Sequence, residues 1–272
     1  MGSGIAEAAA RAGLDVRVVD LDRATIERGR DRVAGSIARA QKAGKLTEAE
    51  AEAAMGRIEF STDLGTLADR QLVVEAVVES EPEKVAVFEA LDKVVAQGAV
   101  LASNTSSIPI MKLAMATGRP SQVIGIHFFN PVPVLPLVEL VTSLLTSDET
   151  VATAQRFAAG QLGKQVIRSQ DRAGFIVNAL LIPYLLSAVR MLESGFATAD
   201  DIDLGMVKGC AHPMGPLALA DLIGLDTTMA VANSLYQEFK EPLYAPPPLL
   251  ARMVEAGLLG RKSGRGFYDY KP

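Results

Sequence analysis

The sequence predicts an α/β protein: a doubly wound parallel sheet followed by an all-helical second domain. Three observations carry this. Apolar strand-like runs alternate with helical patterns up to about residue 170. Several of these runs are continuously apolar, as strands covered on both faces are. Beyond residue 172, helical patterns follow one another with no convincing strand between them. The expected domains are residues 1–172 and 173–272, the second of a size common among domains.

The expected strands are residues 16–19, 72–77, 100–103, 123–127 and 165–167. A first helix precedes them and ends at Gly13. Residues 81–96 read as a helix with Pro82 in its first turn, a favoured place for proline. Residues 148–162 carry apolar residues at helical spacing. Residues 23–56 break the alternation, being charged and helical. Gly44 punctuates them, and Thr47 and Glu50 have the spacing of a capping box. They predict a helical hairpin projecting from the sheet. It is either a solvated helix pair or a basic edge, with Arg39, Lys42 and Lys45, that meets a phosphorylated ligand. In the second half, helices are expected over residues 177–193, 198–209, 216–224, 226–239 and 247–256.

The chain has 272 residues, 49% of them hydrophobic, which suits a sizeable core. Its net charge of −5 argues against nucleic acid as the main partner. No apolar run reaches the ~18 residues of a membrane span. The amino terminus lacks the basic-then-apolar order of a signal peptide. The one cysteine, Cys210, cannot form an internal disulfide, fits a reducing cytoplasm and is expected to be buried. Two histidines and one cysteine make a zinc site improbable, so no metal is expected.

The opening, MGSGIAEAAARAGLDVRVVDLD, has the order helix, strand, acid. A dinucleotide site has that order after a first strand and a Gly-x-Gly-x-x-Gly turn. Here that strand and the first two glycines are absent from the pattern. Gly2 and Gly4 let a helix approach a sheet and a pyrophosphate closely, and the helix amino end offers free N–H groups to an anion. Asp20 is placed to bind both ribose hydroxyls of NAD and to repel the 2′-phosphate of NADP, although Arg23 is close by. The plainer alternative is a helix and strand with an acidic turn.

In GIHFFNPVPVLPLVELV, His127 ends an apolar strand, where open α/β sheets place ligands. Glu139 follows in a second apolar run. A carboxylate between Val138 and Leu140 is costly to bury unless paired, and an imidazole is a natural partner. Such a pair fixes the histidine tautomer and stabilises its protonated form. The alternative is a core histidine beside an unrelated glutamate. In VLASNTSSIPI, residues Asn104, Thr105, Ser106 and Ser107 either cap the helix opening at Ile108–Pro109 or face a ligand.

VVEAVVESEPEK, ASNTSSIPI, GIHFFNPVPVLPLVELV, GFIVNALLIPYL, HPMGPLALADLIGLDTT and GRKSGRGFYDY occur in this order along the chain. Together they resemble the L-3-hydroxyacyl-CoA dehydrogenase family, and the short bacterial 3-hydroxybutyryl-CoA dehydrogenases in particular. The resemblance implies a Rossmann-type first domain and a helical second domain through which two subunits pair. It implies NAD-dependent interconversion of L-3-hydroxyacyl-CoA and 3-ketoacyl-CoA in fatty-acid or butanoate metabolism. Carried onto this chain, His127 is the base for the 3-hydroxyl proton and Glu139 orients it. Ser106 meets the substrate oxygen near the nicotinamide, and Asn178 helps hold the acyl-CoA carbonyl. Gly2, Asp20, Glu79, Lys84, Asn130 and Lys262 match cofactor contacts. Ser36, Lys42 and Lys45 are where coenzyme A is expected.

Family members open with a short strand and G-A-G-x-M-G-x-G-I-A, so Met1 falls inside that pattern. Roughly ten to fifteen residues of strand and turn are then expected ahead of it. Either the start is assigned too late or the chain is a true truncation. The second case implies weak NAD binding, because neighbouring strands are left with unpaired backbone groups. The competing functional readings are a sister hydroxyacid or sugar-acid dehydrogenase and a non-catalytic homologue.

Overall fold

The computed structural model describes residues 1–270. Contacts divide the chain into two compact units, the first ending at Asp171 and the second starting at Arg172.

In the first unit, α1 (Gly2–Arg11) leads through a turn at Gly13 into β1 (Val16–Val19). Next come α2 (Arg23–Lys42), capped by the Asp22 carboxylate, and α3 (Glu48–Gly56). The expected capping box forms, with Thr47 and Glu50 exchanging hydrogen bonds. This hairpin does not project from the sheet. Val33, Ile37, Ala51 and Ala54 share an apolar core with Ala10 and Ile58, so the pair lies against α1 and β2 (Ile58–Ser61). Then follow β3 (Leu72–Glu75), α4 (Glu81–Val94), β4 (Val100–Ser103), α5 (Ile110–Met115), β5 (Val123–Phe128), β6 (Leu137–Thr142), α6 (Asp148–Gln155) and β7 (Gln165–Gln170). A π-helical stretch, Arg156–Gln161, continues α6.

β1 and β2 pair in parallel as a sheet of their own. A second sheet has the order β3-β4-β5-β6-β7. Among the described residues, no strand pairs between β1 and β3. The doubly wound, mainly parallel sheet is present, with one antiparallel neighbour: β6 runs antiparallel to β5, and β7 then follows β6 in parallel. The short connection from residue 129 to 136 allows no crossover helix, so β6 must turn back beside β5. β2 escaped the sequence reading because its four residues, IEFS, hold too few apolar positions to stand out. β5 is buried throughout, and Ile124, Ile126 and Phe128 pack with Val100, Val138, Leu140 and Ile5 on one face of the sheet.

The second unit consists of α7 (Val177–Glu193), α8 (Ala199–Gly209), α9 (Pro216–Ile223), α10 (Leu225–Phe239) and α11 (Pro248–Glu255). Leu185, Leu186, Leu217, Leu225, Leu235 and Leu250 form its core. Cys210 is exposed, contrary to expectation, because it follows the last turn of α8. The junction is tied down separately in each unit. The Asp171 carboxylate accepts the Ile110 and Met111 N–H groups, while Glu238 of α10 accepts from Arg172 and from the Ala173 N–H.

Gly125 sits where strand spacing leaves no room for a side chain. A Cβ there would lie 2.8 Å from Val141 Cβ and 3.0 Å from Ile110 Cδ1. Gly125→Ala is therefore expected to destabilise the protein by about 1–3 kcal/mol, as overpacked cores do, with urea unfolding as the check.

Candidate active site

β3, β4 and β5 are parallel neighbours, so their carboxyl ends open at one edge. His127 lies near the end of β5. β6 turns back beside it, and the antiparallel register puts Glu139 directly opposite His127. Glu139 Oε2 lies 2.7 Å from His127 Nδ1. The carboxylate is fully buried and the imidazole is 6% exposed. The pairing suggested by the residue types is thus present, and it binds the ring through Nδ1. The Phe129 ring packs against the imidazole, with centroids 4.6 Å apart.

Beside it, the segment after β4 is drawn in by Glu79. Its Oε1 accepts from Thr105 Oγ1 at 2.6 Å, from the Ser106 N–H at 2.9 Å, and from both the N–H and hydroxyl of Ser107. Ser106 Oγ donates to the same oxygen at 3.2 Å. Asn104 turns the other way, and its Oδ1 accepts the Phe128 N–H next to His127. The NTSS cluster is therefore no helix cap. Asp171 caps α5, and Thr105 Oγ1 serves the turn by accepting the Ser107 and Ile108 N–H groups.

Lys84 also needs correction. It was expected at the cofactor, but its side chain is 1% exposed, with Nζ 2.7 Å from Glu75 Oε1 and 3.3 Å from Glu79 Oε2. Its ammonium is taken up by these two carboxylates. Glu75 and Ser103 escaped the sequence reading. The available signal was an acid closing the apolar run LVVE, with a lysine nine positions on.

The remaining residues are dispersed. Asp20 follows β1 and is exposed, its carboxylate accepting the Leu21 N–H. The amino end of α1 is lodged at the strand-end edge. A Cβ on Gly2 would lie 3.6 Å from Ala76 Cβ, and one on Gly4 3.1 Å from Val132 Cβ. Those two contacts leave the first N–H groups of α1 beside the chain leaving β3 and the loop after β5, a place suited to an anion. Asn130 is exposed just before the cis peptide to Pro131, and Lys164 Nζ pins that loop through the Val132 and Leu135 carbonyls. Ser36 is half-buried on α2, and Lys42 and Lys45 are exposed at the hairpin turn. Asn178 lies in the first turn of α7 and Lys262 on an exposed loop paired with Asp226, both in the second unit.

Comparison with known proteins defines the kinship. The 3-hydroxyacyl-CoA dehydrogenase NAD-binding domain matches residues 1–172, and the 3-hydroxyacyl-CoA dehydrogenase C-terminal domain matches residues 174–270. The chain belongs to the 3-hydroxyacyl-CoA dehydrogenase family. It is 60% identical over 271 residues to the 3-hydroxybutyryl-CoA dehydrogenase of Mycobacterium tuberculosis, covering 99% of this chain and 95% of that protein. The crystal structure of M. tuberculosis FadB2 superposes with a TM-score of 0.99 at 60% identity, covering 100% of this chain and 95% of that one. The (S)-3-hydroxybutyryl-CoA dehydrogenase PaaH1 of Ralstonia eutropha superposes with a TM-score of 0.95 at 47% identity, covering 100% and 96%.

Burial pushes the Glu79 carboxyl up. The Thr105 hydroxyl, the Lys84 charge and the Ser106 and Ser107 donors outweigh it and hold the group below its ordinary 4.5. A lowered acid stabilises the fold above its unfolded pKa, and that contribution is lost as pH falls through the lower folded value. The melting temperature of the wild type should therefore exceed that of Glu79→Gln above about pH 4.5, with the gap closing below it. Melting curves of both proteins between pH 3 and pH 7 provide the check.

Proposed function

We propose that this protein is an NAD-dependent L-3-hydroxyacyl-CoA dehydrogenase acting on short acyl chains, 3-hydroxybutyryl-CoA foremost. The single observation that carries this reading is the buried Glu139–His127 pair, held by strand register at the carboxyl edge of the sheet. The names of the relatives favour the four-carbon substrate.

The chemistry follows from the pair. In the oxidation direction, His127 Nε2 takes the 3-hydroxyl proton as C3 loses hydride and its C–O bond becomes a carbonyl. Glu139 beside Nδ1 favours the tautomer that accepts at Nε2, the one this role requires. Ser106 donates to the substrate oxygen. Asn178 holds the thioester carbonyl. In the reverse direction, the imidazolium returns the proton. NAD supplies the hydride acceptor. The residues fit it: Gly2 and the α1 amino end would hold the pyrophosphate, Asp20 the adenosine ribose, and Glu79, Asn130 and Lys262 the remainder. Ser36, Lys42 and Lys45 would meet coenzyme A.

The second unit carries Leu180 and Phe196 at 73% and 79% exposure, large apolar groups that a partner surface would cover. We read the enzyme as a homodimer through this unit, working in the cytoplasm within fatty-acid oxidation. Sedimentation should give twice the chain mass, and Leu180→Glu should shift it towards one chain.

Acetoacetyl-CoA should oxidise NADH, and free acetoacetate should not. His127→Gln should lower kcat by about 10²–10⁴-fold with an unchanged far-ultraviolet dichroism spectrum. Failure of both the wild-type reaction and this contrast would remove the dehydrogenase reading. Asp20→Ala should narrow the preference for NAD over NADP in kcat/KM, since the carboxylate that repels a 2′-phosphate is gone.

A further inference from the structure

The loop after β3, helix α4 and the end of β4 meet at one buried carboxylate. Glu75 closes β3, and its side chain is 0% exposed. Its Oε1 accepts the Val77 N–H at 2.6 Å and pairs with Lys84 Nζ at 2.7 Å. Its Oε2 accepts from Ser103 Oγ, at the end of β4, at 2.6 Å. The Ser103 hydroxyl in turn accepts the Thr105 N–H at 3.1 Å, and the Glu75 carbonyl accepts the Asn104 N–H at 2.9 Å.

Lys84 bridges two carboxylates. One is Glu75, wholly inside. The other is Glu79, whose side chain is 35% exposed and whose other oxygen gathers Thr105, Ser106 and Ser107. The buried ammonium is shared between the two acids, and that division sets how far Glu79 is drawn inward. Glu79 fixes Ser106 directly. Ser103 fixes Thr105, and Asn104 ties the same loop to the Phe128 N–H beside His127.

We propose that Glu75 is a positioning residue for the reaction: by holding Lys84 and Ser103 from inside, it sets the 104–107 loop, which carries Ser106 and which Asn104 ties to the Phe128 N–H beside His127. The proposal rests on the dehydrogenase reading for its effect on turnover. Its effect on the loop stands apart from that reading. If Glu75 loses its charge, Lys84 has only Glu79 to neutralise it in a site from which water is excluded. Glu79 moves towards the ammonium, and its hydrogen bonds to the loop lengthen. A displacement on the order of 1 Å at a reacting group costs up to about 100-fold in rate.

Glu75→Gln keeps shape and removes charge. It should lower kcat by roughly 10- to 100-fold with KM for acetoacetyl-CoA changed less than about threefold, because no substrate contact is lost. Its loss should not add to that of Glu79→Gln. The double variant should turn over no more slowly than Glu79→Gln alone, since both act through one loop. Hydrogen exchange gives the readout independent of activity. In Glu75→Gln, the Thr105, Ser106, Ser107 and Ile108 amides should exchange faster, while those of β6 and β7 should not. If Glu75→Gln does not fold, Ser103→Ala removes the other arm and should produce the same exchange pattern. Unchanged exchange in the loop, full kcat, or losses that add in the double variant would each overturn the proposal. A wild-type chain inactive on every hydroxyacyl-CoA would overturn the dehydrogenase reading instead, and the exchange comparison would still decide the role of Glu75.

Discussion

The constraint on which the first unit depends is the hydrogen bond between His127 and Glu139. A carboxylate with no exposed surface is tolerated only where a partner takes up its charge or its lone pairs. That requirement fixes more than one contact. It demands that β6 lie beside β5, run antiparallel to it, and meet it in the register that opposes residue 127 to residue 139. A slip of one residue would turn Glu139 to the opposite face of the sheet and leave it against apolar side chains. The same register puts Gly125 opposite Val141, where only hydrogen fits under Ile110. The geometry of the His127–Glu139 pair and the strand packing are one arrangement.

Charge placement elsewhere in this unit follows the same physics. Lys84 is as buried as a core leucine and is stable there because two carboxylates reach it. The interior therefore holds a small ionic network behind the loop that carries Ser106. Networks of this kind are costly to half-satisfy, so they rigidify what they touch. A flexible serine loop becomes a fixed one by being hydrogen-bonded along its length to a single carboxylate, that of Glu79.

Much of the candidate site's geometry was legible beforehand. Each of His127, Glu139 and Ser106 sits where an apolar run ends or is interrupted by a polar group, and such interruptions are costly enough to be informative. The hairpin's capping box was legible for a similar reason, since its chemistry is complete within four residues. Other features were hidden because their partners are distant in sequence. Asp171 caps a helix whose first residues lie some sixty positions earlier, so the serines and threonine beside that helix look like its cap and are not. Lys84 reads, by resemblance, as a cofactor contact. Only the fold reveals that it points inward.

The sequence by itself determined the two-part organisation, the order of most strands and helices, and the types of residue available for chemistry. These depend on local periodicity and on the cost of placing polar groups in apolar runs. The tertiary structure alone decided that β6 turns back on β5, that the hairpin packs down on α1 and β2, and that Glu75 stands behind Lys84. Each of these is a choice of partner across many residues. Local composition is nearly indifferent to such choices, and packing and buried-charge satisfaction are not.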